Sequence, residues 1–217
     1  MNASEATVFV VDDDPAVRTA LCMLLKSMKL RVEAFACARD FLRSHDPDRP
    51  GCVLADVRMP GMSGLEMQQH MRRQGDLRPV IVISGHGDVP MVVQAMKFGA
   101  VDFLEKPFRD QQLSECVQNA LQIDAKNRQR RAQQKVVDRR LAQLKAGERD
   151  VLQLILQGKS NKYIASELNL SVRTIEVRRS KVMHKMGAKT LADLIRMSVQ
   201  LDLSTDDDAP ETPLSED

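Results

Sequence analysis

Five polar groups placed where short apolar runs give out constrain this chain more than any other feature. The runs are Thr7–Val11, 52–55, 80–83 and 101–104, and at or just beyond their ends stand Asp12-Asp13, Asp56, Ser84 and Lys106. Each run is short enough for a buried strand and is followed by helical periodicity, so the pattern predicts alternating strands and helices. Parallel strands interleaved with helices build a doubly wound α/β sheet, and such sheets gather ligand-binding groups at the carboxyl edge. That edge would hold three carboxylates, a hydroxyl and an ammonium. Paired acids with a third suit a hard cation such as Mg2+, and a lysine with a hydroxyl suits phosphate oxygens, so the chemistry implied is phosphoryl transfer to a carboxylate.

The 217 residues leave room for a second, smaller domain, and charge shows where it lies. Residues 1–125 carry 14 Lys/Arg against 17 Asp/Glu, residues 126–203 carry 18 against 7, and residues 204–217 carry none against 6. An overall charge of +2 therefore hides a basic block, the electrostatic footprint of a nucleic-acid-binding module. Cys22, Cys37, Cys52 and Cys116 fall singly in apolar settings with no CxxC spacing and read as reduced core thiols. With no apolar stretch of membrane-spanning length and no basic-apolar leader, a cytoplasmic protein without membrane contact is expected.

Four segments follow from these patterns: 1–124, 125–140, 141–203 and 204–217. In the first, Asp14-Pro15 supplies a cap and a first-turn proline for a helix carrying Val17, Ala20, Leu21, Leu24, Leu25 and Met28. Arg31–Phe35 reads as a second strand, giving five parallel strands. A loop from Met59 to Gly64 ends in a cap before a helix with Leu65, Met67 and Met71, and Gly85-His86-Gly87-Asp88 is a loop capping a helix over 89–98. Pro107 after Lys106 is a place for a cis peptide. Residues 125–140, polar and without proline or glycine, are expected to continue the last helix as an exposed linker. Residues 204–217 read as a disordered acidic tail.

The third segment reads as all-helical. Leu141, Leu144, Val151, Leu152, Ile155 and Leu156 recur at helical spacing until Gly158; Ser160 or Asn161 caps the next helix, with Ile164, Ala165 and Leu168. Asn169 suits a left-handed turn, and Ser171 caps a helix over Val172–Met186. Ala165, Asn169 and Ile175 fall at the spacing of a helix-turn-helix, and between Val172 and Lys189 six bases face one acid, Glu176.

Val10-Val11-Asp12-Asp13-Asp14, Leu54-Ala55-Asp56 through Gly64, Ile83-Ser84-Gly85 and Phe103-Leu104-Glu105-Lys106-Pro107-Phe108 together resemble the receiver domain of two-component response regulators. The segment Gly85 to Gly99-Ala100 is most similar to the FixJ branch. Ala146-Gly147-Glu148-Arg149, Gly158 to Ala165 and Ser171 to Val177 resemble the LuxR-type helix-turn-helix of the NarL/LuxR class. The resemblance implies a response regulator, not an enzyme, phosphorylated on Asp56 by a sensor histidine kinase. It implies a magnesium ion held by Asp12, Asp13, Asp56 and the carbonyl of Arg58, charge neutralisation by Lys106, and a switch through Ser84 and Phe103. It further implies a homodimer formed on phosphorylation through the last helix–strand face of the receiver, which binds promoter DNA and regulates transcription, in the activating direction, with RNA polymerase as a partner. On the Val172 helix, Glu176, Val177 and Ser180 would face base edges, while Arg173, Thr174, Arg179 and Lys181 would grip phosphates. Arg178 stands where the family usually has His.

Any one of these residues has a plainer reading: an Asp before a loop is ordinarily a cap, and Ser84 or Phe103 alone would be loop or core. Caps, however, have no reason to recur as this ordered set. Two other readings stay open. Asp12-Asp13-Asp14 contains the D-x-D of haloacid-dehalogenase-type phosphatases, although their later acidic pair is missing after Lys106. The other is a constitutive DNA binder with a vestigial receiver.

Overall fold

The computed structural model describes residues 6–44, 46–85 and 89–206, and side chains to residue 198. The chain divides into an amino-terminal unit, Met1–Gln129, and a carboxy-terminal unit, Arg130–Asp217. In the first, β1 (Thr7–Val11), α1 (Pro15–Ser27), β2 (Arg31–Phe35), α2 (Ala38–Ser44), β3 (Gly51–Asp56), α3 (Gly64–Arg73), β4 (Val80–Ser84), α4 (Val89–Lys97) and β5 (Asp102–Glu105) precede the long α5 (Asp110–Ala142). The strands pair in parallel in the order β2-β1-β3-β4-β5, which is the doubly wound sheet expected.

Side chains alternate across the sheet and build a core on each face. Phe9, Val11, Val53, Ala55, Val80 and Val82 pack with α2 and α3, while Val8, Val10, Cys52, Leu54, Ile81 and Ile83 pack with α1 and α5. Because β1, β3 and β4 are covered on both sides, they read as unbroken apolar runs, and their polar neighbours are forced out at the ends. Val11 is level with Ala55, Asp56 with Ile83 and Ser84 with Glu105, so the strand ends converge along one edge.

Local chemistry fixes the loops at that edge. Asp14 accepts bonds from the amides of Ala16 and Val17 and starts α1, with Pro15 in its first turn. Ser63 and Glu66 form a reciprocal capping box at α3. Gly64 is required by contact: a Cβ there would lie 2.3 Å from the carbonyl oxygen of Asp56. The Lys106–Pro107 peptide is cis. Residues 86–88, with His86 and the expected cap Asp88, lie outside the described residues.

In the second unit the last part of α5 joins α6 (Ala146–Leu156), α7 (Asn161–Glu167), α8 (Val172–Met186) and α9 (Leu191–Asp206) around Val137, Val151, Ile155, Ile164, Ile175, Val182, Met186 and Leu194. Ser160 caps α7, Ser171 caps α8, Asn169 between them has φ of 53°, and Gly187 ends α8 in the left-handed conformation.

Several expected boundaries move. β5 begins at Asp102 rather than Val101, and α4 ends at Lys97. Ala20 is exposed although read on the apolar face of α1. Leu141 and Leu144 do not share a helix with Val151: α5 stops at Ala142, and the Glu148 carboxylate accepts the Lys145 amide at 2.9 Å to start α6 afresh. Residues 125–140 are helical, but not wholly exposed, since Val137 is buried and Arg128 is engaged. α9 carries helix through 204–206, where a disordered tail was expected, and 207–217 lie outside the described residues. Among the described residues no helix is long and apolar enough to cross a membrane.

Candidate functional site

Lys106 is the centre of the carboxyl-edge cluster. Its ammonium donates to Asp12 Oδ2 at 3.0 Å and to Asp56 Oδ1 at 2.7 Å, joining residues 94 and 50 positions apart. Each carboxylate has a second hold: Asp12 Oδ1 accepts the Asp14 amide at 2.9 Å, and Asp56 Oδ2 accepts the Arg58 amide at 2.7 Å. Arg18 Nη1 donates to the Asp12 carbonyl at 2.7 Å, tying the end of β1 to α1.

Electrostatics separate the two acids. Burial pushes the Asp12 carboxyl above the ordinary aspartate range, against the hydrogen bonds from Lys106 and the Asp14 amide. Burial works to lower Lys106, but its bonds to Asp56 and Asp12 outweigh that and hold it above the usual lysine range. The Asp56 side chain is 12% exposed against 3% for Asp12, so an incoming group reaches Asp56 more readily. That asymmetry disfavours the phosphatase reading, in which Asp12 would be the nucleophile.

The remaining expected residues sit around this cluster. Ser84 ends β4, donates to Met91 Sδ on α4 at 3.7 Å, and accepts the Lys106 amide at its carbonyl at 2.8 Å. Phe103 on β5 is half-buried against the first core, which Met91 and Phe98 also touch. Asp13 is exposed. Among the described residues no three Asp, Glu, His or Cys side chains stand together as a metal cage: Lys106 lies between Asp12 and Asp56. The carboxylates of Asp12, Asp13 and Asp56 are nevertheless hard oxygen donors of the type that Mg2+ takes.

A second candidate site lies on α8. Ile175, Val182 and Met186 form its buried stripe. At about 100° per residue, Arg173, Glu176, Val177 and Ser180 share an arc of roughly 100° on the opposite side, and all four are exposed. Arg173, expected to grip phosphate, thus stands on the same exposed arc as the three residues expected to face bases. Exposed Lys181 and half-buried Thr174 flank this arc, and the Thr174 hydroxyl is paired with that of Ser171 at 2.8 Å. Arg179, expected to grip phosphate, is half-buried and donates to Asn161 Oδ1 at 3.1 Å.

Sequence patterns left out several contacts because, although their partners lie only four to seven residues apart, they belong to no motif. Arg18 and Met91 support the carboxyl edge. Just before and within α7, which packs on α8, Lys159 lies over the Tyr163 ring at 4.9 Å and Lys162 is exposed, so the start of this helix adds cations beside α8.

Comparison with known proteins finds a family for each of the two units. Residues 8–118 match the response regulator receiver domain, and residues 142–198 match the bacterial regulatory proteins of the luxR family. The chain is 46% identical over 204 residues to nodulation protein W of Bradyrhizobium diazoefficiens, covering 93% of this chain and 89% of that protein. It is 44% identical over 205 residues to the transcriptional regulatory protein FixJ of Azorhizobium caulinodans, covering 94% and 97%. Among solved structures it is similar to the response regulator StyR, with 42% identity, a TM-score of 0.80, and coverage of 90% of this chain and 99% of that one. Sheet order, strand-end cluster, helix-turn-helix and these likenesses together make the chain a member of the FixJ-type two-component response regulators, a receiver domain followed by a LuxR-type DNA-binding domain.

Proposed function

We propose that Asp56 accepts a phosphoryl group from a sensor histidine kinase and that the modified protein pairs with a second copy and binds promoter DNA. The carrying observation is Lys106 shared between Asp12 and Asp56, which makes Asp56 an oriented, partly accessible carboxylate beside a fixed cation. In the transfer, an Asp56 oxygen bonds to phosphorus as the P–N bond of the phosphohistidine breaks, and the imidazole leaves. Lys106 offsets charge on the transferring oxygens, and the Arg58 amide holds the other carboxylate oxygen. The hard oxygen donors Asp12, Asp13 and Asp56, with the Arg58 carbonyl, would hold a magnesium ion, which when bound supplies further charge neutralisation at the phosphoryl group.

The new group carries roughly 1.5 to 2 negative charges. Ser84 at the end of β4 is the switch element, since its hydroxyl donates to Met91 on α4 and a phosphoryl oxygen is a stronger acceptor than a thioether. Drawing Ser84 away from Met91 frees α4 and the space into which Phe103 packs. On α4, Val89, Val93 and Met96 form an exposed apolar stripe at i, i+4, i+7, which supports dimerisation on the α4–β5 face. Two copies of α8 can then grip half-sites about one DNA turn, ~34 Å, apart. The setting is the cytoplasm, and recruitment of RNA polymerase gives activation.

Treatment with acetyl phosphate followed by mass spectrometry should place the adduct on Asp56, with a gain in promoter affinity that Asp56→Asn abolishes. An adduct on Asp12 would restore the phosphatase reading. A fully responsive Asp56→Asn protein would leave a constitutive regulator with a vestigial receiver.

A further inference from the structure

The cations of α8 are not equivalent. Arg178 Nη1 reaches the Gly147 carbonyl in the first turn of α6 at 3.4 Å, and Arg179 Nη1 reaches Asn161 Oδ1, the first residue of α7, at 3.1 Å. Lys185 is likewise turned inward, to Glu148 at 2.6 Å and the Gln143 carbonyl at 3.1 Å. Arg173 and Lys181 are exposed.

The two arginines have a particular placement. The buried stripe of Ile175, Val182 and Met186 is narrow, with half-buried Met183 beside it, and apolar contact is non-directional, so it resists roll of the helix only weakly. At about 100° per residue, Arg178 and Arg179 flank that stripe on opposite sides, at roughly 50° each. One is tied to α6 and the other to α7. A roll of about 20° would move side-chain tips at the ~5–6 Å helix surface by about 2 Å, more than hydrogen bonds to base edges tolerate.

We propose that Arg178 and Arg179 are positioning residues for DNA reading: as opposed struts from α8 to Gly147 and Asn161 they set the roll of the recognition helix, while Arg173 and Lys181 meet phosphates. This rests on the reading of α8 as the helix that enters DNA. It assigns the arginine at position 178 to packing on α6 rather than to the duplex.

Charge-neutral changes in the partners make the test clean. A Cβ at Gly147 would lie 2.5 Å from Arg178 Nη1, so Gly147→Ala displaces that strut with every charge kept, and Asn161→Ala removes the other strut's acceptor. The full chain, treated with acetyl phosphate, is titrated at several salt concentrations with two probes. One is a duplex selected from a random pool by the parent protein, and the other is an unselected duplex of equal length. Gly147→Ala, Asn161→Ala, Arg178→Gln and Arg179→Gln should each lower the selected-to-unselected affinity ratio roughly tenfold, as for one lost base contact. Their slopes of log affinity against log salt should match the parent. Arg173→Gln and Lys181→Gln should each reduce the slope by about 0.9, the signature of a lost phosphate contact. Asn161→Ala combined with Arg179→Gln should cost no more than either alone.

A slope reduced by about 0.9 in Arg178→Gln or Arg179→Gln would overturn the proposal, as would an unchanged affinity ratio in both Gly147→Ala and Asn161→Ala. Circular dichroism melts identify any arginine variant that fails to fold, in which case the two partner variants decide. Unaltered slopes in both Arg173→Gln and Lys181→Gln would instead remove α8 from the DNA, which is failure of the underlying reading and distinct from failure of the struts.

Discussion

The acid pocket of the receiver and the basic helix of the effector use charge in opposite ways. In the pocket, unlike charges are pressed together at the ends of β1, β3 and β5, partly shielded from water, so the local field is strong and little screened. On α8 the exposed charges, Arg173 and Lys181 with the single acid Glu176, are spread over an open face, where they act at longer range and yield to salt. A single added phosphoryl group can therefore dominate the first region, whereas no single residue dominates the second. The largest expected effect follows: Asp56→Asn abolishes phosphoryl uptake from acetyl phosphate, read by intact mass, and leaves salt-dependent binding to unselected DNA unchanged. Loss of both together would break the comparison.

The receiver also contains an ion pair with no role at the site, which shows that burying charge is costly wherever it occurs. Arg78 and Asp76, each side chain 1% exposed, are joined at 2.6 Å beneath Phe9 and Phe41, with the guanidinium 4.8 Å from the Phe9 ring centre. Arg78→Ala removes the counter-charge of the buried Asp76 carboxylate and should cost about 3–5 kcal/mol in urea unfolding. Asp76→Leu with Arg78→Met should recover most of that loss, because an apolar pair needs no charge compensation. If the double variant is as unstable as the single, packing on the Phe rings rather than the ion pair is what Arg78 supplies.

This pair also marks where sequence reading stops. β1, the edge strand β2 and α8 have the bounds expected from it; two-sided burial writes β1 as a continuous apolar run, and Ser171 and Gly187 punctuate α8 on both sides. The pocket was legible as residue types at strand ends, since parallel topology alone brings those ends together. What distance hides was not legible. Arg128 donates to Asp124 and to the carbonyls of Pro47, Asp48 and Arg49, roughly 80 residues earlier, so the first turns past residue 124 are held to the receiver rather than left as linker. Leu141 and Leu144 matched a helical period by chance, because the Glu148 carboxylate that restarts the helix lies downstream of them. Arg178 and Arg179 look like two more bases until Gly147 and Asn161 are seen beneath them.

Acidification should separate the two regions by a smaller amount. The hydrogen bond from Lys185, with that from the Lys145 amide, holds the Glu148 carboxyl below the ordinary glutamate range. A carboxyl depressed in the folded state contributes stability at pH above its unfolded value, near 4.5, and that contribution is lost as pH falls through the folded value. The effector's melting temperature should therefore fall as pH drops below about 4.5, and Glu148→Gln should flatten that part of the curve. An identical slope in the variant would show that other carboxylates govern the acid transition.

The smallest expected effect tests whether exposed and buried faces of α8 can be pulled apart. Val177 is 50% exposed on the outward arc, one turn from Arg173, so truncating it opens no cavity. Val177→Ala should change unfolding free energy by less than about 0.5 kcal/mol, whereas Ile175→Ala, fully buried two residues before it, should cost about 2–5 kcal/mol. Neither substitution changes charge, so the salt slope stays that of the parent in both. A branched methyl group at a groove-facing position discriminates mainly by contact with a thymine methyl. Selection of duplexes by Val177→Ala should thus lose preference at one or two base pairs and retain it elsewhere. Preference retained at every base pair would take Val177 off the DNA and leave base reading to Glu176 and Ser180.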